Sequence, residues 1–286
     1  MNNKIYLMTA IMAFASVGAL LIQPTLASAQ PKNPSPFDPT TNGGTGSTPA
    51  KKSAASAATD IPAKSLSCGE VIKESVKLST NLACTGDGLI VGADGITIDL
   101  NGHSLEGPGP KSSKIGVMLA TSSGVTLKGP GTIAGYQAGT LDTGGQGNTI
   151  TGINYDNNQI AIFLTGAKDT DIERNMLTGN DIGMASHSAS TTNFAKNMLD
   201  NNNLAGVTLV NSADNKVDTN IIEGSNNGVF ADSQSTGNKI TTNTIMHNTG
   251  VDVNNGNGLP ININKNTFTA NNCNTSVPDG LCLANK

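Results

Sequence analysis

Asp171 and Glu173 stand on either side of Ile172, Arg174 follows directly, and Lys196 recurs 22 residues after Arg174. Two carboxylates separated by one residue share a face of an extended strand. There they could hold a cation while a neighbouring basic side chain moves a proton. Asp171, Glu173, Arg174 and Lys196 are therefore the strongest catalytic candidates in the chain. Against them, Asn193 and Ala195 occupy the carboxylate positions one repeat later, so no second acidic layer supports a cation. The plainer reading is a solvated strand face carrying an ion pair, an arrangement that is common and contributes little.

Other reactive side chains are more scattered. His103, His187 and His247 fall at different places in the repeat, so no two-histidine metal site is expected. Met176 and Met198 stack one repeat apart on the outer side of a strand, a pair of soft thioethers without a third ligand; surface packing is the plainer explanation. Tyr136, Tyr155, Phe163, Phe194, Phe230 and Phe268 are the aromatic residues of the repeat region, and Phe194 and Phe268 are expected to point inward. That leaves little for stacking on sugars. There is no G-x-S-x-G, H-E-x-x-H or P-loop motif, and Asn274-Thr275-Ser276 is a lone glycosylation sequon. No cofactor is expected.

The elements that position these residues are visible as a repeat. Polar-apolar-polar triplets centred on Ile98, Leu127, Ile150, Ile172, Phe194, Val217, Ile240 and Ile263 step by 29, 23, 22, 22, 23, 23 and 23 residues. The long first step contains the Gly107-Pro108-Gly109-Pro110 insertion. A second column runs through Gly116-Val117, Gly139-Thr140, Ala161-Ile162, Gly183-Met184, Gly206-Val207, Gly228-Val229 and Gly250-Val251. A third holds Asn175, Asn197, Asn220, Asn243 and Asn266, each followed two residues later by Leu177, Leu199, Ile222, Ile245 or Phe268. Three short apolar beats separated by Gly, Asn and Asp describe three strands per coil. Helical repeats need a 3.6-residue period, and leucine-rich repeats a fixed Leu-x-Leu frame; neither occurs. The expected fold is all-β, a right-handed parallel β-helix of about eight 22–23-residue coils. Each apolar middle residue points inward and its flanking residues point out. The Asn column is expected to form a buried structural ladder.

Lys4, the apolar run Ile5 to Ile22, and Ala27-Ser28-Ala29 have the form of a signal peptide over residues 1–29, with an uncleaved anchor as the rival. Residues 30–65 are rich in Pro, Ser, Thr, Gly and Ala and read as a disordered linker. The β-helix domain is expected over 66–272 and a disulfide-closed tail over 273–286. With no Trp, 33 Gly and 13% charged residues, the chain suits thin layers of small side chains. The net charge of −4 and interspersed charges leave no basic stripe, which argues against nucleic acid. Four cysteines in an exported chain predict two bonds. Cys68 with Cys84 and Cys273 with Cys282 bracket the two ends of the repeat, so each pair is expected to bond locally.

The segment from Cys68-Gly69-Glu70-Val71-Ile72 through Cys84, Gly86-Asp87-Gly88-Leu89 and Ile98-Asp99-Leu100-Asn101-Gly102-His103 resembles the start of exported β-helix repeat proteins. These belong to the pectate-lyase-like superfamily, and residues 66 to about 272 share its pattern. The resemblance implies the fold and leaves function open among lyases, hydrolases, epimerases, adhesins and NosD-like copper-site accessory proteins. Polysaccharide lyases of this fold use acidic residues for calcium and an Arg or Lys as base, the roles that Asp171, Glu173, Arg174 and Lys196 would take. The expectation is a non-catalytic secreted or cell-surface protein that presents a polar face to extracellular polysaccharide or the cell envelope, with no membrane span after cleavage. A polysaccharide-acting enzyme or a copper-site accessory protein are the alternatives.

Overall fold

The computed structural model describes residues 61–256, 259, 262–263 and 265–283. The expected signal peptide and nearly all of the expected linker lie outside the described residues. Among the described residues, 29 strands fall into three parallel sheets of 10, 9 and 10 strands. The first sheet contains Asp171–Glu173, the second Met176–Thr178 and the third Ile182–His187. One strand of each makes a coil. Because a parallel connection within one sheet must cross over, and crossovers are right-handed, the chain winds as a right-handed β-helix.

Nine full turns run from Glu70–Ile72 to Asn272–Cys273, flanked by the short strands Ala63–Lys64 and Ser276–Val277. The expected count of about eight began at Ile98 and so left out one turn, in which Val76, flanked by Ser75 and Lys77, lies in register with Ile98. At about 4.8 Å per coil, nine turns make a rod of roughly 40 Å. Cys68–Cys84 closes its first turn and Cys273–Cys282 its last, with Cα separations of 5.6 and 5.2 Å.

The lumen is filled by stacked columns. Ile98, Leu127, Ile150, Ile172, Phe194, Val217 and Ile240 lie in register in the first sheet and are fully buried. The next residue in that column is Phe268, which pairs with Ile240. The expected triplet around Ile263 is therefore displaced: Ile263 is 57% exposed, and Asn264 lies outside the described residues. A corner insertion can lengthen the loop between coils without disturbing the coil itself, and here it delays the strand to Thr267–Thr269. The same insertion makes Cys273, rather than Phe268, continue from Ile245, and a longer corner earlier in that turn makes Val253, rather than Val251, continue from Val229.

Each corner must satisfy backbone groups that the sheets leave unpaired. Between the first and second sheets, Arg174, Lys196, Thr219, Thr242 and Ala270 adopt φ of 56 to 58°. The residue after each is a buried asparagine. In this column Asn175 Nδ2 donates to Asn197 Oδ1 at 3.1 Å, Asn197 to Asn220 at 3.1 Å, Asn220 to Asn243 at 3.0 Å and Asn243 to Asn271 at 3.0 Å. Asn271 ends this ladder. Asn266, expected there, belongs to the corner between the third and first sheets, where Asn215 donates to Asn238 and Asn238 to Asn266. The insertion before Thr267 moved an asparagine of the right spacing onto the wrong corner. A third ladder, Asn158 to Asn180 to Asn202, occupies the remaining corner.

Asn220 shows what a rung does. Its Oδ1 accepts from the backbone N–H and Nδ2 of Asn197, and its Nδ2 donates to Phe194 O at 2.9 Å and to Asn243. Removing it strands buried donors and acceptors on both neighbours, at about 1–3 kcal/mol. Asn220→Ala is expected to lower the melting temperature by several degrees, whereas Thr267→Ala, at an exposed position of the first sheet, stays within about one degree. Equal shifts in thermal denaturation would contradict the buried-ladder account.

Candidate functional site

Alternation along each three-residue strand of the first sheet places its middle residue in the lumen and its two flanks outside. Successive coils then build two outer columns. One reads Thr149, Asp171, Asn193, Lys216 and Lys239, the other Thr151, Glu173, Ala195, Asp218 and Thr241.

The four sequence candidates meet at this face. Arg174 Nη1 donates to Glu173 Oε2 at 2.8 Å, and Lys196 Nζ lies 3.8 Å from the same oxygen. Asn193 Nδ2 donates to Asp171 Oδ1 at 2.7 Å and reaches Glu173 Oε1 at 3.5 Å. The two basic side chains are more than half exposed. Arg174 and Lys196 stand on the left-handed corner residues, which is why they bracket the end of the Glu173 strand rather than its middle. Every carboxylate of the cluster has a donor, and Asn193 fills the place of a second acidic layer. Chemically the cluster is a paired surface network.

The same columns carry further pairs that the quartet did not reveal. Lys128 Nζ and Asp99 Oδ2 are 3.1 Å apart, as are Lys216 Nζ and Asp218 Oδ2. For Asp218, partial burial alone would raise the pKa. Hydrogen bonds from Thr241, at 2.6 Å, Lys216 and Thr219 outweigh it and hold the carboxyl below its ordinary value.

The histidines remain apart. His187 stacks on Val210, His103 Nδ1 is 3.1 Å from Asn81 Oδ1, and His247 Nδ1 is 3.7 Å from Glu223 Oε1. Among the described residues no three His, Cys, Asp or Glu side chains converge as a metal site. Met176 and Met198 are paired neighbours in the second sheet, 41% and 38% exposed, and Ile221 at 41% follows on the next coil. Tyr136 and Tyr155 are unavailable to ligands: both are fully buried, and Tyr155 Oη lies 2.7 Å from Thr140 Oγ1 within the rod.

One ionisable group escaped the sequence reading. Asp142, fully buried near the end of the third-sheet strand Ala138–Thr143, accepts from Gly145 N and from Asn148 Nδ2, each at 2.9 Å. Its neighbours in register are Leu164 and Ala120, so no periodic acid signalled it. Burial pushes its pKa up to about 6, against the opposing pull of the Asn148 and Gly145 hydrogen bonds.

The family described as "Periplasmic copper-binding protein (NosD)" matches residues 81–281. No curated protein matches the chain. Among solved structures, the enzymatically active domain of tailspike protein 2 from bacteriophage CBA120 is 13% identical. The match covers 76% of this chain and 37% of that one, with a TM-score of 0.54. The Dettilon tailspike protein is 12% identical over 74% of this chain and 54% of its own, with a TM-score of 0.43. The A-module of Azotobacter vinelandii mannuronan C-5 epimerase AlgE4 is 14% identical over 75% and 77%, with a TM-score of 0.33. This chain thus spans well under two thirds of either tailspike, and the first likeness is one of fold alone.

The Asp142 assignment sets a pH dependence. Its folded-state pKa lies above the ordinary 3.8, so between about pH 4 and 6 the folded state holds a proton that the unfolded state has released. Asp142 therefore makes stability fall as pH rises through that window. Asp142→Ala should be less stable throughout, and the difference in melting temperature between it and the wild type should narrow from pH 4 to pH 7. A difference independent of pH across that range would contradict the shift.

Proposed function

Because the chain belongs to the NosD family, we propose that it is an exported, non-catalytic β-helix protein whose first sheet contacts an extended polymer of the cell envelope or its surroundings. The observation that carries this reading is the pair of outer columns on that sheet. They set hydroxyl, amide and charged groups in register on successive coils, about 4.8 Å apart. A ligand with its own linear repeat, such as a polysaccharide, can meet such a surface at many weak points together. The acids of the quartet serve this role better than catalysis, since Glu173 is held by Arg174 and Asp171 by Asn193. Two local disulfides suit an oxidising compartment outside the cytoplasm. No helix among the described residues is long and apolar enough to cross a membrane.

A second reading follows from the family's copper-binding name together with Met176 and Met198. Thioethers favour soft monovalent copper, and side chains on adjacent coils are separated by a span that one such ion can bridge. In this reading the second sheet would contact the metal while the first contacts the polymer.

The polymer reading is tested on immobilised neutral and acidic polysaccharides. The full chain should be retained without shortening the polymer, and the double variant Lys216→Glu, Lys239→Glu should bind an acidic polymer several-fold more weakly. Chain cleavage that disappears in Glu173→Gln would establish an enzyme instead. For the second reading, titration with Cu(I) against a chromophoric chelator should give one site that is lost in Met176→Leu and in Met198→Leu. An unchanged titration in both variants would exclude the methionine pair.

A further inference from the structure

The third sheet is largely apolar outside as well as in. In the strand Ile160–Thr165, Phe163 points away from the lumen residues Ile162 and Leu164, and it stands in an outer column with Met118, Leu141, Ala185, Thr208 and Phe230. One corner leading into this sheet has a different chemistry. Residues 107–114, which include the Gly107-Pro108-Gly109-Pro110 insertion, join Ser104–Glu106 of the second sheet to Ile115–Ala120 of the third, where the next two coils use only residues 135–137 and 157–159. Tyr136 stands at this corner one coil later, in the column that asparagine takes from there on: its backbone N–H donates to Asn158 Oδ1 at 3.0 Å.

The inserted loop is fastened on both sides of Tyr136. Gly109 N donates to Gly135 O and Gln137 N to Lys114 O, each at 2.8 Å, and Ser112 lies between these two ties. The Tyr136 ring fits between the two feet of the loop: a Cβ on Gly107 would come within 2.6 Å of its Cδ1 and Cε1, and one on Gly116 within 3.0 Å of its Cδ2. A carboxylate stands at each foot. Glu106 precedes Gly107, and Asp87 Oδ1 accepts from Ile115 N, next to Gly116, at 3.0 Å. Two hydroxyls at the same place, Tyr136 Oη and Ser112 Oγ, are buried without a hydrogen-bond partner, a rare condition that calls for a cause. Tyr136 as a whole is 0% exposed, which closes its ring to stacking. Its oxygen nevertheless differs from that of Tyr155, which Thr140 satisfies. Burial, and after it the charges of Asp87 and Glu106, push the Tyr136 hydroxyl's pKa up, so these two carboxylates are the charges that it feels.

We propose that this corner binds a hard divalent cation of the calcium class, held by the carboxylates of Asp87 and Glu106 and the hydroxyls of Tyr136 and Ser112. All four groups offer oxygen, and calcium accepts six to eight oxygens in irregular geometry, whereas magnesium demands a near-ideal octahedron and softer metals prefer nitrogen or sulfur. A hydroxyl bound to the ion through a lone pair keeps its proton for a neighbouring carboxylate, so the ion satisfies both orphaned groups. Pro108 and Pro110 have no N–H and supply the loop with carbonyl oxygens free of a competing donor. Lys114 is the rival charge. Its Nζ lies 3.8 Å from Asp87 Oδ2, too far for a hydrogen bond, and at 39% exposure the side chain can swing to solvent as the ion enters. With two carboxylates, the expected affinity is that of extracellular calcium modules, about 10⁻⁴–10⁻³ M. The bound ion would tie three successive coils together, those of Asp87, Glu106 and Tyr136. It shares no residue with the quartet around Glu173 or with the methionine pair.

Terbium, a luminescent stand-in for calcium, reads this site on the full chain. With no Trp and three Tyr, the chain can sensitise terbium only through tyrosine. Titration should give saturable sensitised emission that calcium displaces, and Tyr136→Phe should lose most of it. Asp87→Asn and Glu106→Gln should each weaken terbium binding roughly 10-fold by removing one of the two charges. The amide of Asp87→Asn still accepts from Ile115 N, so this variant keeps the corner folded. Glu223→Gln, several coils away, should bind as the wild type does. Calcium should also slow tryptic cleavage after Lys111 and Lys114 several-fold in the wild type and not in Asp87→Asn. The proposal is overturned by the absence of saturable emission, by emission of equal strength in Tyr136→Phe, by unchanged binding in both carboxylate variants, or by cleavage indifferent to calcium.

Discussion

The asparagine ladders are the constraint on which the rest of the rod depends. A parallel strand of three residues ends almost as soon as it begins, and the backbone must turn a corner with its polar groups shielded from water. Leaving them unpaired would cost more than the short strand contributes. An amide side chain accepts at its oxygen and donates two hydrogens from its nitrogen, so each asparagine of a column pairs with the coils on either side. The ladder between the first and second sheets is continuous from Asn175 to Asn271. Where the corner between the third and first sheets lacks asparagine, Thr170 and Thr192 hold buried positions in its place.

The corners also determine which side chains can act together. Because each coil is locked to the next, a residue's neighbours on the surface are its counterparts 22 or 23 positions away rather than its neighbours in sequence. Glu173 lies within reach of Lys196 for that reason, and Asp171 of Asn193. The left-handed conformation at Arg174 and Lys196 costs about 1–2 kcal/mol for each non-glycine residue and is retained because the ladder that follows over-determines the corner. The result is three outer faces with different chemistry on one rod: hydroxyl, amide and charge on the first sheet, exposed thioethers on the second, and an apolar strip on the third.

Much of this was legible in the amino-acid sequence because the solenoid is nearly one-dimensional. A buried column needs an apolar residue at every coil, and a strand with one face in the lumen needs polar flanks, so Ile98 to Ile240 declared both the coil length and the facing of the first sheet. The quartet around Glu173, the exposed methionine pair and the local cysteine pairs followed from that register. Periodicity by itself nevertheless assigned Ile263 and Asn266 to places that Phe268 and Asn271 occupy. Spacing along a chain cannot tell a strand from an insertion that happens to keep the beat. Only the competition to fill the lumen and to satisfy the last amide of the ladder decides which residue enters.

The third sheet marks the other boundary. Alternation implies that Phe163 faces away from Ile162 and Leu164, but whether an outward phenylalanine meets water is a property of what lies over it, and no residue within its own repeat encodes that. Asp142 is the same case for charge: the sequence records a carboxylate in an apolar column, whereas its raised pKa comes from the depth of its burial, against the opposing pull of the Asn148 and Gly145 hydrogen bonds. The sequence by itself determined the coil, its three strands and the side chains that recur with them. The tertiary structure alone decided which of those side chains are covered, paired or displaced, because burial and pairing depend on segments far apart in the chain being brought to the same place.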